Sequence, residues 1–431
     1  MEQTISLSPR WSQGSMIAFR FAFSYFIFYI FPFPLNILSQ LSTVFQPLAE
    51  LSNKMYEPLA AYVMGTDYKL PAPNGSGDTV LNYIQFFVGF IFSVVATIIW
   101  SFVDSKRDSH EKLLQLLIIV LRYYLAFWMI GYGFAKVFKM QFPSLTTDRL
   151  YNTYGESSPM GLLWTFMGYS TVYNIFTGLW EVIAGVFLLF KRTRLIGVLL
   201  VIAIMSNVVM LNFAYDVPVK LFSTHLLLMA FFLLGPDIKR LLNFFFFNRP
   251  VATETSGSLP FNYGIKTKLY YNIVKWSAVL LIFATNGMFF YIGSQQQIAF
   301  DENQKRYAPV MGEFEVETFV LNGDLIPPGQ LDTRRWKKIW LKQRTVDIQY
   351  MDGGSGPWHC NRNATGSKII LHSLDLWSAG SFSLRANGES FTLEGKLNQD
   401  SLKINLRKVG ENQFLLVNRG FNWVNDYPYN R

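Results

Sequence analysis

The chain has 431 residues, 51% hydrophobic, 17% aromatic and only 16% charged, with a net charge of +9 and a single cysteine, Cys360. Such a composition is apolar for a soluble protein of this length, and one cysteine excludes an intrachain disulfide, a CxxC redox pair and a Cys/His metal cluster. Nucleic acid is not the partner that the basic excess points to: from Gln295 onward 17 Lys+Arg stand against 15 Asp+Glu, so most of the excess lies among the apolar runs before it, where it reads as membrane topology.

Two domains are expected, a helical membrane domain over residues 1–294 and an exported β-rich domain over 295–431. A spanning helix needs about 20 mostly apolar residues. Seven segments qualify: Met16–Leu38, Tyr83–Val103, Leu113–Phe138, Thr171–Phe190, Leu195–Tyr215, Pro218–Leu234 and Leu269–Gly293. The first is longer than a signal-peptide core and has no small-residue cleavage site before Pro32, so it reads as a retained anchor. Asp216-Val-Pro218 is a tight joint that makes a hairpin of the fifth and sixth spans.

With seven spans, Arg10, Lys106, Arg107, Lys112, Lys191, Arg192, Arg194, Lys239, Arg240, Arg249, Lys266 and Lys268 all fall on one side. The other side's loops hold only Lys54, Lys69, Lys139 and Arg149. This asymmetry predicts a multi-pass protein with its N-terminus inside and its C-terminal domain outside.

Two outer loops carry patterns of their own. Val44, Phe45, Leu48, Leu51, Met55, Leu59 and Tyr62 recur at helical spacing and predict an amphipathic surface helix. Ser158-Pro159 before apolar Met160–Met167 is a helix start, placing a cap over the bundle. Asn74-Gly-Ser-Gly-Asp-Thr79 lacks the lysine of a phosphate loop and predicts a turn that caps the second span through Asp78 or Thr79.

Ionisable groups inside spans are costly and are functional candidates. By helix rise, Arg122 lies about 15 Å beyond Lys112 and Glu181 about 15 Å before Lys191, which places both near mid-membrane on consecutive helices and predicts that they pair. Asn207 falls near the same depth, and His225 about 10 Å below the outer face. Arg122, Ala126, Met129, Gly133 and Lys136 form one stripe, while Gly178 and Gly185 flank Glu181 and allow close helix approach. With Tyr132, Asn212, Asp216 and Lys220 at the outer end, the expectation is a polar pocket in the outer half of the third to sixth spans. The pair is either glue between helices or the wall of a ligand or proton pathway.

Leu121-Arg122, Gly131-Tyr-Gly133-Phe-Ala-Lys136, Trp180-Glu181, Gly185 and the basic turn Lys191-Arg-Thr-Arg194 resemble the four-helix core of the DoxX-like membrane proteins, over residues 113–235. The whole layout is similar to a long Bacteroidetes form of that group, with Gly75–Thr79 and the tail Asn418–Asn430 as landmarks. The resemblance implies a protein of a bacterial cytoplasmic (inner) membrane with a redox-linked role, in which Arg122 and Glu181 orient a quinone or another membrane-soluble ligand while Lys136, Asn207 and His225 bond its polar end. It supplies no catalytic residue, no metal site and no cofactor beyond a quinone. A fainter similarity, through Ala18-Phe-Arg20-Phe, runs to the membrane domain of vitamin K-dependent carboxylases. From another class comes the alternative of a non-catalytic envelope factor whose exported domain contacts a partner protein or lipid.

From Gly312 the apolar period becomes two. Phe314, Val316 and Thr318, then Val346, Ile348 and Tyr350, Phe382–Leu384, Phe391–Leu397, Leu402–Leu406 and Phe414–Val417 read as strands. Asn322-Gly323, Asp352-Gly353, Asn387-Gly388 and Asn398–Asp400 mark the turns. An antiparallel meander is expected, closed as a lipocalin-like barrel or stacked as a sandwich, with its interior filled by side chains. His359 beside Cys360 has too few neighbours to predict a metal or a nucleophile.

Overall fold

The computed structural model describes residues 10–31, 54–65 apart from 55 and 64, 76–250 apart from 147–148 and 151–153, 265–307, and 310–423 apart from 330–333, 343–344, 364–365, 374–377, 389, 411–413 and 421. These residues form two compact units, one of 1–143 with 159–293 and the other of 144–158 with 294–431.

The first unit is helical: α1 (Gln13–Ile30), α2 (Val80–Val103), α3 (Glu111–Val137), α4 (Pro159–Tyr169), α5 (Thr171–Leu189), α6 (Arg194–Ala214), α7 (Lys220–Leu234), α8 (Ile238–Phe245) and the start of α9 (Ile265–Tyr307). Among the described residues, six stretches are long and apolar enough to cross a membrane: α2, α3, α5, α6, the run from α7 through α8, and Asn272–Ala299 within α9. The expected first span starts with α1, and its outer part, 32–38, lies outside the described residues. So does most of the amphipathic helix expected over residues 44–62, of which 54 and 56–62 are helical.

Polar side chains end the helices where the chain leaves the apolar layer. Ser12 accepts from the Ser15 amide at the start of α1 and Ser170 from Tyr173 at the start of α5, satisfying amides that have no partner inside the helix. Thr79 caps α2 in a reciprocal box with Asn82. Its neighbour Asp78 reaches another helix altogether. The Asp78 carboxylate accepts from the Lys220 and Leu221 amides at 2.8 and 2.9 Å and so caps α7. Asp216, with φ of 51° in the left-handed region, turns the chain between α6 and α7.

α3 is the centre of the bundle. Leu117, Leu121, Leu125, Ala126, Met129 and Ile130 are all buried and join one core with residues of α1, α5, α6, α7 and α9. At the foot of α1, buried Arg20 donates to His110 Nε2 at 3.1 Å and to the Asp104 carbonyl at 2.8 Å. Burial first, and the Arg20 guanidinium next, push His110 below its ordinary pKa, so the ring stays neutral and accepts. Arg20, the residue behind the carboxylase similarity, thus ties α1 to the α2–α3 turn.

The second unit contains a closed antiparallel barrel. β1 (Gly312–Leu321), β3 (Trp336–Leu341), β4 (Thr345–Tyr350), β5 (Ser355–Arg362), β6 (Lys368–Ser373), β7 (Ala379–Asn387), β8 (Ser390–Leu397) and β9 (Asp400–Lys408) pair in chain order, and β9 returns to β1. The two-residue β2 (Asp324–Leu325) only folds back on the end of β1. Closure depends on the length of β1, whose first residues pair with β3 while Phe314–Leu321 pair with β9. The register shifts between Val316 and Thr318. This bulge moves the inward position from Thr318, expected by strict alternation, to Phe319, which is 1% exposed. Asn322, Gly323, Gly353, Gly388 and Asn398 all take positive φ at turns, as their residue types require.

The interior is filled by side chains, among them Phe314, Phe319, Trp336, Ile348, Phe382 and Ile404. Buried Cys360 belongs to this packing, and Arg362 donates to its sulfur at 3.3 Å. One expectation fails here: Phe414–Val417 is not a strand, for Leu415–Asn418 form a short helix. β9 already closes the ring on β1, so no edge is left to receive another strand. A soluble fragment of residues 297–431 is expected to fold as a monomer with one cooperative melt, followed by circular dichroism and light scattering; an aggregated or disordered fragment would refute the independence of the barrel.

Candidate functional site

The close approach of α3 and α5 builds the site. A Cβ on Gly178 would lie 2.6 Å from the Gly133 carbonyl oxygen and 2.9 Å from Lys136 Cβ, and one on Gly185 would lie 2.8 Å from Ile130 Cγ1. Only glycine permits this spacing. Because the helices are antiparallel, Gly178 against Gly133 and Lys136, with Gly185 against Ala126 and Ile130, sets the register and places Glu181 beside the last turns of α3.

Lys136 is therefore the partner of Glu181, and Arg122 is not. The Lys136 ammonium donates to Glu181 Oε1, with Lys136 7% and Glu181 3% exposed. Arg122 lies ten residues before the level of Glu181 along α3, about 15 Å toward the other end by helix rise. Counting from Lys112 and Lys191 assumed that the two helices cross the layer with matching ends. Arg122 is buried, its guanidinium sits 5.2 Å over the Tyr123 ring, and its Nε has no hydrogen-bond partner among the described residues.

A cavity of about 570 Å³ lies beside the ion pair. Its walls come from α3, α4, α5, α6, α7 and the joint before α7, matching the expected pocket of the third to sixth spans with the Met160–Met167 helix as one wall. The lining differs from the expectation: it is mainly apolar and aromatic, with Tyr132, Trp164, Tyr173, Phe176, Trp180 and Phe222 on its surface. Polar groups are few. Besides Lys136 and Glu181 they include Asn207, Gln141, and Asn212, which donates to Ser223 at 3.0 Å.

His225 is not among the lining residues. It is 2% exposed and lies on the side of α7 that faces α1. Its Nδ1 contacts the Leu221 carbonyl at 2.6 Å and its Nε2 the Tyr25 hydroxyl at 2.6 Å. A carbonyl only accepts, so Nδ1–H donates to Leu221, and Nε2 shares a hydrogen bond with the Tyr25 hydroxyl. Tyr29 stacks on the ring at 3.9 Å. Both nitrogens are used, so His225 fastens α7 to α1 and has no free atom for a ligand. Of the five sequence candidates, the cavity brings together Lys136, Glu181 and Asn207. Gln141 escaped sequence reading because it lies in the loop after α3, where one polar residue carries no periodic signal.

Together these features define a class: a multi-pass helical membrane protein with an ion-pair-walled apolar cavity and a separate closed β-barrel unit. No family model matches the chain, and no solved structure matches it. The chain is 36% identical over 124 residues to the uncharacterized protein YwoB of Bacillus subtilis, a stretch covering 29% of this chain and 79% of YwoB. It belongs to the same family as YwoB.

Proposed function

We propose that the bundle binds a neutral, membrane-soluble ligand with an apolar body and a small polar head, of the quinone class, in a redox-linked role. The observation that carries this reading is the buried Lys136–Glu181 pair in the wall of an aromatic-lined cavity of about 570 Å³. Charges at membrane depth are expensive to retain, and the volume is within the range that holds a small molecule. The ion pair supplies polarity without net charge, which suits a neutral head, while the aromatic rings suit a flat body. The reading extends the DoxX-like resemblance of residues 113–235, with Lys136 taking the place first given to Arg122.

The test is chemical. Protein purified in mild detergent is expected to carry a quinone in near-stoichiometric amount by mass spectrometry of its lipid extract. Ala203→Phe, which adds a ring to the cavity wall from α6, is expected to lower that amount at least tenfold. Absence of any co-purifying quinone, or a wild-type amount in the filled variant, would overturn the assignment. A surface-contact role for the barrel unit, with an envelope protein or lipid, is favoured by its filled interior, which directs any recognition to the outer face.

For the topology we adopt α1 as a seventh span, giving an inner-membrane protein with the N-terminus cytoplasmic and the barrel exported. Its support is the segregation of twelve basic residues from four. Reporter fusions after Arg249 should read cytoplasmic and fusions after Arg431 exported; a cytoplasmic reading at Arg431 refutes the arrangement.

A further inference from the structure

The cavity wall carries unfilled acceptors. Lys136 occupies Glu181 Oε1, whereas Glu181 Oε2 is buried with no hydrogen-bond partner among the described residues. Gln141 Oε1, on another part of the same wall, is likewise buried and unpartnered. A carboxylate oxygen can only accept, and leaving one buried without a donor is destabilising. The missing partner is thus a donor.

Charge and shape narrow that donor further. Lys136 already compensates Glu181, so a cationic amine would bring an unbalanced charge into an apolar site. A neutral hydroxyl avoids this and forms a charge-assisted bond with the carboxylate. The seven aromatic side chains on the wall suit a hydroxyl borne on a flat ring over one on a flexible aliphatic chain. We infer that the cavity selects the reduced, hydroxyl-bearing form of a quinone-class ligand, a neutral hydroquinone that donates to Glu181 Oε2 and to Gln141 Oε1. This rests on the quinone-class reading of the site and adds which form the site recognises. A quinone head has only carbonyl acceptors and would set acceptor against acceptor.

The experiment compares two probes on the full-length protein in detergent under anaerobic conditions: a benzoquinone with a decyl tail, and the same molecule chemically reduced to the hydroquinone. Binding is read by intrinsic tryptophan quenching, with 1-decanol as the aliphatic hydroxyl control. The hydroquinone is expected to bind at least tenfold tighter than the quinone, and decanol more weakly than either. In Gln141→Leu, hydroquinone affinity should fall several-fold more than quinone affinity. In Glu181→Gln, whose amide can also donate, the preference should shrink below threefold or invert. If Glu181→Gln does not fold, the wild-type comparison and Gln141→Leu still decide. Equal affinities, or tighter quinone binding, overturn the inference and leave the quinone-class site standing. Failure of both ring probes to bind overturns the site itself, and tightest binding by decanol replaces the ring with an aliphatic alcohol.

Discussion

Replacing Lys136 by methionine is expected to destabilise the detergent-solubilised protein by about 3–5 kcal/mol, the usual cost of leaving one member of a buried ion pair alone. The Glu181 carboxylate would keep its burial and lose the ammonium that compensates it. Glu181→Gln should cost less than Lys136→Met, because the amide stays neutral in the cavity and Lys136, at the end of α3, can reach toward the polar boundary. The double variant should recover part of the loss, and a double-mutant cycle measures the coupling. Arg122 provides the control. Arg122→Met and Glu181→Gln should be additive within about 0.5 kcal/mol, as independent sites are. Strong coupling of Glu181 to Arg122, with none to Lys136, would show that the register of α3 against α5 has been misassigned.

The second large effect concerns that register. Gly178→Ala is expected to cost about 1–3 kcal/mol through overpacking, because the added carbon meets the Gly133 carbonyl, Lys136 Cβ and the Val137 amide, none of which is the end of a flexible side chain. Gly178→Leu should do more. By driving α3 from α5 it should separate Lys136 from Glu181 and abolish both their coupling and ligand retention. Gly287→Ala, where a Cβ meets nothing within 4 Å, is expected to change stability by no more than about 0.5 kcal/mol. Thermal denaturation of the three variants in one detergent makes the comparison. A Gly178→Ala protein as stable as Gly287→Ala would remove the close-contact account of the site.

Much of this architecture is legible in the chain itself, wherever a property belongs to a single segment. Twenty apolar residues in a row must be helical in a membrane, since every backbone group has to be satisfied internally. Ser158-Pro159 starts α4 and Thr79 caps α2 because a cap acts over three residues. Asn322-Gly323 and Asn387-Gly388 turn the barrel because few other residue types accept positive φ. The barrel strands that escaped notice lack a clean alternation: β3 is the run Trp-Lys-Lys-Ile-Trp-Leu, β5 contains Gly356 and Pro357, and β6 is the run Lys-Ile-Ile-Leu-His-Ser.

What the sequence could not determine are relations between segments. Helix rise gives position along one helix and says nothing of how far its neighbour is offset, so Arg122 and Glu181 look level when each is counted from its own basic end. Gly133, Gly178 and Gly185 are visible as small residues, but only their mutual contact sets the offset that gives Glu181 to Lys136. His225 has the same depth whichever way it faces; its rotation about α7, toward Tyr25 and Tyr29, withdraws it from the cavity. In the barrel, alternation fits a closed ring and a sandwich equally well. The pairing of β1 with both β3 and β9 decides for the ring, and the bulge after Val316 decides which residues of β1 fill it. Periodicity is a property of one chain segment, whereas register, rotation and closure depend on which surfaces pack together. Those surfaces meet only in the tertiary fold.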